Sequence, residues 1–152
     1  KDFSGVDKLT SRFSATRETD LAMDTDTEFN VSSFGENHDA LGDFNASTGT
    51  FLVPADGVYT FASTVSFDRG DGTDDTCNLG FYVVPADASG DYDFGRVQIN
   101  PRNYSSAGVD FAVTTTDSVE LKRGDTVNLR FSGMSVTTPV FATRMNFRGR
   151  MG

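Results

Sequence analysis

Residues 68–75 read Asp-Arg-Gly-Asp-Gly-Thr-Asp-Asp and gather four carboxylates on a stretch softened by two glycines. Calcium takes roughly six to eight oxygen ligands, so Asp68, Asp71, Asp74 and Asp75 form a candidate metal site. Their spacing departs from the helix-flanked calcium loop, which opens Asp-x-Asp-x-Asp-Gly and closes on Glu. A solvated hairpin loop is the plainer reading of the stretch. Catalytic chemistry finds little support. His38 is the single histidine and stands between Asn37 and Asp39 in a polar segment expected to be a loop, where an imidazole serves more often as surface than as general base. No G-x-S-x-G elbow, H-E-x-x-H zinc motif, phosphate loop or dinucleotide fingerprint occurs. A pair of carboxylates for glycoside hydrolysis is not excluded among the 22 Asp and Glu residues, but no spacing points to one.

Three further sets of residues carry recognition chemistry. The tripeptide Arg-Gly-Asp stands at Arg69-Gly70-Asp71 and again at Arg123-Gly124-Asp125, matching the integrin-recognition motif of animal adhesion proteins. Turn chemistry accounts for the second copy, at Gly124-Asp125. Only the longer loop around Gly70 is expected to present the motif. Asn30-Val31-Ser32, Asn45-Ala46-Ser47 and Asn103-Tyr104-Ser105 are glycan acceptor sequons, with Asn103 in an expected loop and Asn45 at an expected strand end. For stacking on a sugar, no Trp is available and only Tyr82, Tyr92 and Tyr104 lie outside the expected core. Cys77 is the one cysteine, so no internal disulfide can form, and a buried inert thiol is its expected state.

The elements that must position these groups are strands. The chain has 152 residues with 14 Phe, 15 Gly and many Thr, Ser and Asp, and it lacks any helical run of Leu, Ala, Glu and Lys. That composition describes short strands joined by polar turns, within one domain and without a long helix. The net charge of −9 opposes phosphate backbones, which argues against nucleic-acid binding and against a general membrane-surface role. No apolar run is long enough for a transmembrane span. Residues 1–11 are polar and read as the end of a tether, with the domain over 12–152. Strands are expected at 13–17, 28–33, 41–45, 58–67, 77–84, 94–100, 109–115, 118–121, 126–132 and 140–147, about ten in all. Loops are expected at 68–75, 85–93 and 101–108, where Gly, Asp, Asn and Pro gather.

Alternation selects an inward set of Phe51, Tyr59, Phe61, Val65, Phe67, Leu79, Phe81, Val119, Leu121, Val127, Leu129, Phe131, Phe141 and Phe147. Burying each Phe stabilises by ~1.5–3 kcal/mol, which is enough to organise a sandwich of this length. The same alternation puts Tyr82, Val84, Val97 and Ile99 on outward positions.

The most specific stretch is residues 39–61. Phe44 precedes Phe51 by seven positions across the turn Ser47-Thr48-Gly49, and Gly57, Tyr59 and Phe61 follow as G-x-Y-x-F. This block resembles the globular head of the C1q and tumour-necrosis-factor superfamily. Val119 to Leu129 resembles that superfamily's L-x-x-G-D-x-V-x-L hairpin, with Gly124 and Asp125 at its turn. Phe13-Ser14-Ala15 resembles its opening strand, and Phe141 fits its closing strand. Three positions depart from the pattern. Thr143 stands where a glycine is usual, Ser63 where an aromatic is favoured, and Phe29 and Val31 are two positions apart rather than three.

The resemblance implies an all-β, two-sheet antiparallel jelly roll and a non-enzymatic head at the tip of a longer chain, extracellular, cell-surface or on a virion exterior. It implies a homotrimer that presents loops to a protein or glycan ligand, with no cofactor required and calcium as an occasional ligand. Tyr82, Val84, Val97 and Ile99 become candidates for the subunit interface, since an exposed apolar patch asks for a partner. Arg69, Gly70, Asp71, Tyr92 and Tyr104 become candidates for the ligand loops. The competing class is a carbohydrate-binding β-sandwich that stacks sugars on the three outward tyrosines.

Overall fold

The computed structural model describes residues 11–23, 28–68, 76–99, 111–135 and 140–152. Among them the chain forms strands and no helix: β1 Arg12–Arg17, β2 Leu21–Met23, β3 Phe29–Asn30, β4 Gly35–Asp39, β5 Phe44–Asn45, β6 Thr50–Leu52, β7 Gly57–Asp68, β8 Thr76–Val84, β9 Tyr92–Ile99, β10 Phe111–Leu121, β11 Thr126–Ser135 and β12 Val140–Met151. One sheet runs β10-β7-β12-β1-β4, with β2 also on β12, and the other runs β5-β6-β11-β8-β9, with β3 on β11. Every pairing is antiparallel. The architecture is the all-β two-sheet jelly roll expected from the sequence.

The period-two pattern decides which face each strand buries. Along β7, Tyr59, Phe61, Ser63, Val65 and Phe67 point inward and are essentially fully buried, while Thr60, Thr64 and Ser66 stay partly exposed. Along β12, Met145, Phe147 and Gly149 face the core, while Arg144, Arg148 and Arg150 face solvent. The rings meet in one cluster. Phe13 stacks on Phe44 at 4.4 Å and on Phe51 at 4.9 Å, and Phe147 meets it edge-on at 4.9 Å. Phe44 and Phe51 are register partners, so the turn between them brings both rings to one side.

Four features differ from the sequence reading. β4 forms from the polar segment around His38, because Phe13, Ser14, Ala15 and Thr16 of β1 supply its pairing partners and the strand needs no buried side chain of its own. Residues 111–121 are one strand rather than two, since all eleven pair in unbroken register with β7. The polar middle of that strand is held by hydroxyl pairs, Thr60 with Ser118 at 2.8 Å and Thr64 with Thr114 at 3.0 Å. Ser11, assigned to the tether, is buried and belongs to the sandwich: its carbonyl accepts from Met151 N, and its hydroxyl donates to Asp43 at 3.0 Å.

The fourth difference corrects two candidate interface residues. Leu79 opposes Val97 while Phe81 opposes Phe94, so three positions of β9 span two of β8. This is a β-bulge, with Gly95 at φ +62° supplying the left-handed residue such bulges use. The extra residue flips the alternation. Phe94 faces the core, and so do Val97 and Ile99 beyond the bulge. Ile99 is 1% exposed and Val97 is half-buried against the core, so neither lies outward.

Two of the sequence departures have local explanations. Ser63, at the missing aromatic, is fully buried and donates its hydroxyl to Asn146 O at 2.7 Å, which satisfies it inside the core. Thr143 lies at a second bulge, between Ala142 and Arg144, at a backbone φ that needs no glycine.

Candidate functional site

Much of the sequence-derived site falls on segments outside the described residues. Asp71, Asp74 and Asp75 of the metal set, Arg69, Gly70 and Asp71 of the first Arg-Gly-Asp, and Tyr104 with Asn103 all lie there. Asp68 ends β7, and its side chain is outside the described ones. No group of three or more potential metal ligands occurs among the described residues.

The second Arg-Gly-Asp is a structural turn. Asp125 N donates to Lys122 O at 3.0 Å with Gly124 at φ +92°, as a type II turn requires. The Asp125 carboxylate accepts from Lys122 N at 2.9 Å and from Ala86 N at 3.0 Å, and the residue is buried. Gly124 N and Arg123 N are also engaged, by Val53 O and by the Asp56 carboxylate. An aspartate committed in this way has no face to offer a receptor.

The motif residues meet as the resemblance implied. Phe44, Phe51, Tyr59 and Phe61 sit in the ring cluster, with Phe51 T-shaped to Phe61 at 5.8 Å. Tyr59 donates its hydroxyl to Ala55 O at 2.7 Å, and burial pushes its pKa up. A Cβ at Gly57 would fall 2.6 Å from Met151 Cε, the movable end of a flexible side chain. Phe141 lies on β12 opposite Ala22 and Asp68, and its side chain is not among those described.

The outward tyrosines do not share a surface. Tyr82 faces solvent from β8, with the Arg130 guanidinium 3.8 Å above its ring centre, and it donates to the Asp91 carboxylate. Arg130 in turn pairs with Glu28 at 2.8 Å, so Tyr82 is one link in a chain that ties the residue before β3, β11, β8 and the β8–β9 turn together. The Asp91 hydrogen bond raises the Tyr82 pKa, and Arg130 opposes the shift. Tyr92 opposes the fully buried Val83 and therefore lies on the core-side face of the same sheet, 39% exposed where the sandwich ends. One ring is stacked by an arginine and the other points to the opposite face, so the two build no flat platform for a sugar. Val84 keeps its outward position. It is 38% exposed and shares the register partner Thr126 with Leu52, which is 51% exposed, so the two apolar side chains flank one threonine on the outer face.

Sequence reasoning passed over a group on the opposite sheet. Arg12 of β1 stands directly across from Arg150 of β12, Ser14 from Arg148, and His38 from Ser14. The signal was present in Arg148-Gly149-Arg150, an alternation that sends both guanidinium groups to one face. Together with Thr60, Ala62 and Thr116 these residues line a shallow depression of about 420 Å³.

No protein-family model matches the sequence, and no curated protein matches it. Solved structures do share its fold. The globular domain of zebrafish complement 1qA protein aligns with a TM-score of 0.63 at 20% identity, over 91% of this chain and 94% of that one. Murine APRIL at pH 5.0 aligns with a TM-score of 0.63 at 13% identity, over 91% and 98%. The Eiger TNF of S. frugiperda aligns with a TM-score of 0.60 at 15% identity, over 94% and 92%. At these identities the likeness is one of fold.

Proposed function

From the premise that its fold is that of the C1q and tumour-necrosis-factor globular domains, we propose that this chain is a non-enzymatic head domain that assembles as a homotrimer and recognises a ligand. The observation that supports this reading is that the likeness of fold spans nearly the whole of both chains. In this reading the head sits at the tip of a longer extracellular, surface-fibre or virion protein, and three copies multiply weak loop contacts by valency. No helix among the described residues is long and apolar enough to cross a membrane.

Association is supported by what the sheets leave exposed. Leu52 and Val84 form an apolar pair on the outer face of one sheet, and an apolar patch of this kind is relieved by a partner. Val84 therefore stays in the interface reading, together with Leu52, while Tyr82 serves the intrachain network.

Solution mass tests the proposal. Light scattering should give about three times 16.4 kDa, and a mass of one chain that persists as concentration rises would overturn it. Repeating the measurement with a calcium chelator examines the metal reading of Asp68, Asp71, Asp74 and Asp75: a drop in mass on chelation would tie assembly to calcium.

A further inference from the structure

The depression on the β1–β12 face has an unusual electrostatic make-up for so acidic a chain. Arg12 and Arg150 are directly opposed across an antiparallel pair, an arrangement of like charges that destabilises a sheet unless something neutralises it. Arg148 lies one row further along the same face, opposite Ser14 on one side and Ala62 on the other. No carboxylate lines the depression, and among the described residues none pairs with Arg12, Arg148 or Arg150. By register, the nearest carboxylate on β10 that shares this face is Glu120, opposite Val58, one row beyond Thr60 and two strands from Arg150.

The surrounding groups are donors and small side chains. Ser14, Thr60 and Thr116 add hydroxyls, and Ala62 adds a small side chain. Gly149 contributes no side chain, because a Cβ there would strike the Phe13 and Phe61 rings on the core side at 2.7 Å. His38 Nε2 accepts from Arg12 Nε at 3.2 Å, which holds the Arg12 guanidinium beside the depression. Guanidinium groups offer paired N–H donors in a plane that matches the geometry of an oxyanion.

We propose that this face is a binding site for an oxyanion, a carboxylate, sulfate or phosphate group carried by a small ligand, held by Arg148 and Arg150 with Arg12. Every group named belongs to one copy of the chain. The net charge of −9 repels large polyanions, so the occupant is a compact anion rather than a nucleic-acid backbone.

The test is a titration of the whole chain at constant ionic strength, following the arginine Nε–Hε NMR signals. Inorganic phosphate is one probe and glucuronate the other, with sodium chloride as the balancing salt. The Arg12, Arg148 and Arg150 signals should move together along one saturating curve, while that of Arg144, on the same strand and paired with Glu18 at 3.6 Å, should stay still. Arg148→Gln should raise the half-saturating concentration by ~10-fold or more, and Arg144→Gln should leave it unchanged. Tighter binding of glucuronate than of phosphate would identify a sugar acid as the source of the anion, and the reverse would identify a free phosphate or phosphate ester. Small unsaturable shifts shared by all arginines, or equal behaviour of the two variants, would overturn the proposal. So would a solution mass that falls in Arg148→Gln without any phosphate response, because it would assign the face to a second copy of the chain.

Discussion

A Cβ on Gly149 would come within 2.7 Å of Phe13 Cε1, so the glycine of β12 and the ring of β1 share a space that holds only one of them. Phe61 crowds the same point from β7, also at 2.7 Å, and both rings belong to the stacked cluster.

Gly149→Ala is therefore expected to destabilise the fold by ~1–3 kcal/mol through overpacking. Gly57→Ala is the comparison, because the obstacle there is the terminal methyl of Met151, which can swing aside. Urea denaturation of both variants should give a clearly lower midpoint for Gly149→Ala and a smaller change for Gly57→Ala. Equal midpoints would show that the ring cluster yields as readily as a methionine tail.

Gly42 and Gly49 separate backbone strain from crowding. Both have φ +71°, but a Cβ at Gly42 meets nothing within 4 Å, whereas one at Gly49 falls 2.1 Å from Val31 O. Gly42→Ala should cost about 1 kcal/mol for the left-handed conformation alone. Gly49→Ala should cost several times as much, because the turn between β5 and β6 has to move off β3's following residue. Thermal melts of the two variants measure the difference.

Raised tyrosine pKa values predict an alkaline limb to stability. Burial raises the Tyr59 pKa above its ordinary 10.0. A pKa raised on folding gives stability that is present below the unfolded value and is lost as pH climbs through the folded one. Native stability should thus fall above pH 10.0, and Tyr59→Phe should flatten that fall while lowering stability at neutral pH by ~0.5–1.5 kcal/mol for the lost bond to Ala55 O. Tyr82 gives a spectroscopic counterpart. Its proton is held by Asp91 and opposed by Arg130. In an absorbance titration, Asp91→Asn should lower the midpoint of this tyrosine, and Arg130→Ala should raise it.

Asp125 tests whether the second Arg-Gly-Asp is architecture. Its two carboxylate oxygens accept from Lys122 N and Ala86 N, and an amide replaces one acceptor with a donor facing an N–H group. Asp125→Asn should destabilise by ~1–3 kcal/mol, read from chemical denaturation. A neutral result would free this aspartate for another role.

The sequence was most informative where a residue's environment follows from its own strand. Tyr59, Phe61, Val65 and Phe67 alternate without interruption and are all buried, and Phe44 and Phe51 pair across the turn that their spacing implied. It failed where a bulge intervened. One extra residue at Gly95 turned Val97 and Ile99 inward, and a bulge is a property of two strands in register rather than of one strand's pattern.

The chain's own order of residues settled that it folds as a two-sheet sandwich around aromatic rings, because side-chain period and turn chemistry are local and each strand carries them alone. Tertiary structure alone decided that His38 lies on a strand, that Tyr82 lies beneath Arg130, and that Arg12 faces Arg150 from the other end of the chain. Those relationships arise from pairing between segments remote in sequence, and a polar side chain gains its neighbours only when the sheets close.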